Sequence, residues 1–77
     1  MFENLRRAPV NCLRVFEAAA RLGNFARAAS ELRVTPAAVS QQIKKLEESC
    51  GTQLFQRVGR NVRLTWVGEQ LLGSVSE

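Results

Sequence analysis

From residue 10 onward, apolar residues recur at helical spacing along most of the 77-residue chain, and the pattern breaks only around residues 54–65. Between Val10 and Leu22, the side chains of Leu13, Ala20, Phe16, Cys12, Ala19 and Val15 fall on one arc at about 100° per residue. Arg14, Arg21, Asn11 and Ala18 fall opposite, which predicts an amphipathic helix with those four toward solvent. Gly23 stops it, and Asn24 suits the cap of a second, alanine-rich helix from Ala26 to Leu32. The turn Arg33-Val34-Thr35 follows. A third helix then opens with Thr35 as N-cap and Pro36 at its first position, and Gly51 ends it. Within it Val39, Ile43, Leu46 and Cys50 lie within about 60° of one another and form the stripe to be buried. Ala37, Gln41, Lys44 and Glu48 lie opposite, flanked by Ser40 and Lys45.

The period then changes. Leu54 to Arg57 and Val62 to Thr65 surround Val58-Gly59-Arg60-Asn61, two short runs about a turn, and predict a β-hairpin. The alternation is imperfect, because Leu54 and Phe55 are adjacent and both apolar. Trp66 to Glu77 reads as a closing helix capped by Thr65. Residues 1–9 are polar and basic, end at Pro9, and are expected to form a loose arm.

Two helices joined by so tight a turn, the first lined with alanine so that the second can cross it closely, make a helix-turn-helix pattern. The second helix of such a unit is shaped for the DNA major groove. Its outer face begins small and polar, at Ala37, Ser40 and Gln41, where hydroxyl and amide groups can bond base edges. It becomes basic at Lys44 and Lys45, where the helix would climb past the phosphates. Glu47 and Glu48 come where the helix has left the groove. Arg57, Arg60 and Arg63 form a second basic cluster on the hairpin, with no acid between Glu48 and Glu69. Arginine on a projecting hairpin suits the narrow minor groove or its flanking phosphates. Which of the three faces DNA is open at this point. A solvated helix face and a solvated turn look similar to each cluster taken alone; the turn, cap and alanine-lined helix together favour DNA.

Charge agrees with that reading. Lys and Arg number 11 against 7 Glu, a formal charge of +4, with neither Asp nor His present. A basic balance favours an acidic partner, nucleic acid first. With no His, no Asp and no nucleophile beside a base, an enzyme is the poorest reading, and no catalytic residue is assigned. Cys12 and Cys50 match neither a metal spacing nor a redox pair, so no metal or cofactor is expected; both read as buried, reduced thiols suited to a cytoplasmic protein. No apolar run reaches the ~18 residues of a membrane span, and no signal-peptide core is present. The expectation is a soluble cytoplasmic domain.

The order of these motifs carries a resemblance. An alanine-containing helix, then V-T-P-A-A-V-S-Q-Q-I-K-K-L-E-E, then G-T-Q-L-F-Q-R, then L-T-x-x-G-E closely resembles the DNA-binding domain of LysR-type bacterial transcriptional regulators. The likeness runs from about Val10 to the end. Within the family, L-R-V-F-E-A-A-A-R-L with A-A-V-S-Q-Q-I is most similar to regulators of the glycine-cleavage-activator and β-lactamase-regulator type. The resemblance implies a mainly α, winged helix-turn-helix fold: a three-helix core, a small β-hairpin wing, and the start of a linker helix. It implies a DNA-binding domain over residues 1–65 and the start of a linker or dimerisation helix over 66–77. Base reading is implied at Pro36, Ala37, Ser40 and Gln41, and backbone contact at or near Thr35, Lys44 and Arg57. The family often has Gln at the position of Pro36, Arg at that of Gln41, and Pro at that of Trp66. Fewer direct hydrogen bonds are then available, and specificity is expected to lean on Gln41, Ser40 and DNA shape.

Family members are several times longer, so the resemblance implies a chain that stops inside the linker helix and lacks the effector-binding domain. A small-molecule effector would act only through that domain. Trp66, Leu71, Leu72 and Val75 present more apolar surface than a short helix needs, and pairing with a second copy is the expected outlet; packing back on the domain's own core is the alternative for some of them. The expected partner is double-stranded DNA at a palindromic promoter site, bound by a homodimer or higher homo-oligomer. The competing function is a winged-helix protein-interaction module without DNA binding. Its signature, acidic or bulky apolar residues on the Ala37–Gln41–Lys44 face, is not seen.

Overall fold

A computed structural model of the chain describes residues 10–75. In order, these form α1 (Val10–Leu22), α2 (Phe25–Leu32), α3 (Pro36–Cys50), β1 (Phe55–Val58), β2 (Asn61–Leu64) and α4 (Trp66–Val75). The arm expected over residues 1–9, and the last two residues of the closing helix, lie outside the described residues.

The helix ends follow from local chemistry. Asn24 is extended (φ −161°, ψ 125°) and its Oδ1 accepts from the Arg27 amide, which starts α2 one residue earlier than the alanine run suggested. Thr35 Oγ1 accepts from the Ala38 amide, with Pro36 at the first helical position. Gly51 ends α3 at φ 73°, the left-handed conformation that glycine enters without a Cβ penalty. Arg33 takes the same conformation (φ 59°, ψ 43°) at the end of α2, and its amide and that of Val34 close back on the Ser30 and Ala29 carbonyls.

Helix α1 is the centre of the domain and is contacted by α2, α3, β2 and α4. Ala19 of α1 and Ala28 and Ala29 of α2 are all buried in the core, where small side chains permit close helix approach. Being covered on several sides also reverses one expectation. Ala18, placed toward solvent by the wheel, is buried; Leu13, Leu32 and Val75 of α4 line the cleft beside it. Phe16, Val39 and Leu46 complete the centre of the core. Cys12 is buried and Cys50 only half-buried, both free thiols, and burial pushes both thiols above their ordinary range.

The hairpin is antiparallel, pairing Phe55 with Leu64, Gln56 with Arg63, Arg57 with Val62 and Val58 with Asn61. The strands thus begin and end one residue away from the expected runs, and Gly59 (φ 62°) with Arg60 makes the turn. Adjacent apolar Leu54 and Phe55 are explained by this offset. Leu54 precedes the strand and is fully buried, while Phe55 is the first strand residue and turns inward. The Thr65 amide donates to the Leu54 carbonyl at 2.9 Å, and Thr65 Oγ1 donates to the Gln53 carbonyl while accepting from the Gly68 amide. One threonine therefore closes the hairpin and caps α4.

Candidate nucleic-acid interface

Along the outer side of α3, Ala37, Ser40, Gln41, Lys44 and Lys45 are exposed, as are Thr35 and Pro36 at its start. The amphipathic reading of this helix therefore places its inner stripe and its outer face correctly, and it separates two adjacent glutamines. Gln41 faces out, whereas Gln42 is half-buried and its Oε1 accepts from the Cys12 thiol at 2.9 Å. The first turn of α3 also presents the positive end of a helix dipole beside Thr35, whose hydroxyl proton remains available as a donor.

Among the described residues, the ion pairs join Arg21 to Glu17 at 3.0 Å and to Glu31. No described carboxylate pairs with Lys44, Lys45, Arg57, Arg60 or Arg63. Among the described residues the two carboxylates of α1 and α2 are thus both engaged by Arg21, while the cations of α3 and the hairpin stand without a carboxylate partner.

The three wing arginines do not converge. Opposed residues in an antiparallel pair share a face, so Arg57 lies with Val62 on the face turned toward the domain. Its guanidinium sits 5.4 Å from the centre of the Phe25 ring. Arg63 lies on the other face opposite Gln56, to whose Oε1 its Nε donates at 3.4 Å. Arg60 stands in the turn. Between α3 and the wing runs a groove lined by Ser40 and Lys44 on one wall and Gln56 and Arg57 on the other.

Three residues shape this surface through contacts that their place in the sequence did not suggest. Phe25 supports Arg57 from below and meets Phe55 edge-on, with ring centres 5.4 Å apart. Asn24, beyond capping α2, donates through Nδ2 to the Arg60 carbonyl and to Asn61 Oδ1, and the neighbouring Gly23 carbonyl accepts from the Val62 amide at 2.9 Å. Glu47, expected with Glu48 only to lie beyond the groove, is half-buried, and its Oε2 accepts from the Leu54 and Phe55 amides at 2.7 and 3.3 Å. A signal existed for Glu47: it lies one helical turn from Ile43, at the border of the buried stripe.

On α4, Trp66 is 64% exposed, Leu72 and Val75 are half-buried against the domain, and Leu71 is fully buried within it. Leu71 is therefore corrected from a candidate contact for a second copy to a core residue: it faces inward, on the side of α4 that seats against the domain.

Residues 10–69 match the family model described as bacterial regulatory helix-turn-helix protein, lysR family. The chain is similar to the carbapenem-hydrolyzing β-lactamase transcriptional activator of Enterobacter cloacae, 52% identical over 71 residues, covering 92% of this chain and 24% of that protein. It is similar also to the glycine cleavage system transcriptional activator of Escherichia coli, 51% identical over 72 residues, covering 94% of this chain and 24% of that protein. The fold is similar to that in the crystal structure of the CbnR_DBD–DNA complex, with a TM-score of 0.82 and 33% identity, covering 86% of this chain and 76% of that one. The chain spans about a quarter of the length of the curated relatives it matches.

Proposed function

The chain belongs to the lysR family of bacterial regulatory helix-turn-helix proteins, and we propose on that footing that it binds double-stranded DNA sequence-specifically as the DNA-binding part of a transcription regulator. The observation that carries this reading is the exposed outer face of α3, polar at its start and basic beyond, beside a wing whose arginines have no carboxylate partner among the described residues. The likeness to a protein–DNA complex and to transcriptional activators supports it. The relatives are transcriptional regulators rather than enzymes.

In this reading α3 enters the major groove N-terminus first. Pro36 and Ala37 permit close approach, and Ser40 and Gln41 reach base edges. Thr35 donates to a phosphate beside the helix N-terminus, and Lys44 and Lys45 meet phosphates farther along. Arg57 anchors the backbone across the groove between helix and wing, Arg60 at the wing tip reaches the minor groove, and Arg63 meets a flanking phosphate from the other strand face.

Residues 1–65 serve as the DNA-binding domain and 66–77 as the start of a linker helix. In the whole protein, two or more copies would pair through that helix on a palindromic site in the cytoplasm, and an effector would bind a domain outside this chain. Trp66 is the principal exposed contact, with Leu72 and Val75 contributing the parts of their surface left uncovered. No described helix is long and apolar enough to cross a membrane.

The test is a titration of the chain against mixed-sequence duplex at two salt concentrations, followed by selection from random DNA. Affinity is expected to fall with salt at a log–log slope of about −0.9 per phosphate contacted. A flat salt response refutes the proposal.

A further inference from the structure

We propose that Glu47 is a positioning residue that holds the wing at a set distance from the recognition helix, so that major-groove and wing contacts form as one unit. The inference rests on the DNA-binding reading above. The hairpin packs its second strand on α1 and α4, and its tip is held to the α1–α2 turn through Gly23 and Asn24. Its first strand is separated from α3 by the groove between Ser40, Lys44 and Arg57. Across that groove Glu47 reaches out from α3, and one carboxylate oxygen accepts both the Leu54 and Phe55 amides at the entry to β1.

What those two amides position follows along the strand. Phe55 packs on Phe16 with ring centres 5.5 Å apart and on Phe25 at 5.4 Å, and Phe25 carries the Arg57 guanidinium. Glu47 thus sets β1, β1 sets Phe55, and the aromatic cluster sets Arg57 relative to Lys44. A charge-assisted bond from a carboxylate to backbone amides is stronger and more directional than a neutral one, which suits it to fixing a spacing. Glu48, the neighbouring carboxylate, is exposed and lies about 100° farther round the helix.

The experiment is a double-mutant cycle between Glu47→Ala and Arg57→Ala, using the 77-residue chain and the best duplex recovered by selection from random DNA. Coupled contacts usually differ by amounts that correspond to several-fold to a hundredfold in affinity, so Glu47→Ala is expected to weaken binding roughly tenfold. In the Arg57→Ala background the same change is expected to weaken it by less than about twofold. Glu47→Gln, which keeps one oxygen able to accept from both amides, is expected to recover most of the loss. In hydroxyl-radical footprints Glu47→Ala should lose protection under the wing and keep it under α3. Glu47→Asp keeps the charge but withdraws it by a methylene, and should show the same coupling with Arg57 if the alanine variant does not fold. Equal losses with and without Arg57, or no recovery by Gln in a protein that melts normally, overturns the role of Glu47. Absence of salt-dependent binding by the unmodified chain overturns the DNA reading instead.

Discussion

Two alanine substitutions in α4 are expected to move stability in opposite directions, although both remove a glycine from the same helix. Glycine in a helix interior is about 1 kcal/mol less favourable than alanine, so propensity alone favours both changes. At Gly73 an added Cβ meets no heavy atom within 4 Å. Gly73→Ala should therefore stabilise, by a few tenths to about 1 kcal/mol so near the helix end. At Gly68 the added Cβ would lie 2.3 Å from the Leu54 carbonyl oxygen and 2.9 Å from Leu64 Cδ2. That carbonyl cannot turn aside, because it accepts from the Thr65 amide. Relief requires α4 to lift by roughly an ångström, and a close-packed interior transmits such a shift. Leu71, fully buried one turn later, would be unseated. Overpacking of this kind costs about 1–3 kcal/mol and sometimes more. A clash with fixed backbone belongs at the upper end, so the net loss after the propensity gain is about 2 kcal/mol. For a domain of this size that lowers Tm by roughly 8–16 °C. Thermal and urea unfolding, followed by far-ultraviolet circular dichroism, checks both variants side by side. If Gly68→Ala melts at or above the unmodified protein, α4 does not seat on Leu54 as described.

Other expectations follow from the same geometry. Arg33 holds a left-handed conformation that costs a non-glycine residue about 1–2 kcal/mol, so Arg33→Gly should raise the melting temperature despite added chain entropy; an unchanged or lower Tm would show that the Arg33 side chain contributes more than its strain. Gln41→Ala should alter base preference and cost about 1–3 kcal/mol on the best site, whereas Arg57→Ala should weaken all sequences nearly alike; the opposite pattern in competition titrations would relocate the reading face. Trp66→Ser should loosen any dimer with little effect on folding, because Trp66 is 64% exposed; Leu72→Glu with Val75→Glu would damage the fold as well, since both side chains pack on the core. Sedimentation and melting of each variant separate these effects. The hydrogen bond from Arg21 holds the Glu31 carboxyl below its ordinary range of about 4.5. A depressed carboxylate stabilises the fold above its unfolded value and loses that contribution as pH falls through the folded value, so acid should weaken the α1–α2 link and Glu31→Gln should flatten that part of the stability curve, read by melting across pH 2–7.

The parts of this protein legible in its sequence are those set over short range. Cap residues Asn24, Thr35 and Thr65, the stop at Gly51 and the turn at Gly59 act on backbone groups within a few residues, and each does in three dimensions what its type suggests. The buried stripe of α3 was legible for the same reason: a regular helix repeats its faces, so Val39, Ile43 and Leu46 must point one way and Gln41 and Lys44 the other.

What tertiary structure alone decided is which neighbour each face meets. Ala18 is buried because α1 is covered by α4 as well as by α2 and α3, and a single-helix wheel assumes one covered side. Leu71 joined the core rather than a partner because Gly68 lets α4 seat directly on the hairpin root. Three arginines close in sequence are parted onto two strand faces and a turn because Arg57 pairs with Val62, so Arg63, the next residue along β2, faces the other way, and Arg60 falls in the turn. Glu47 and Glu48 are the same residue type side by side. Only the return of the chain at Leu54 and Phe55 gives one of them two amide donors and leaves the other in water, because hydrogen-bond partners distant in sequence are assigned by packing and not by propensity.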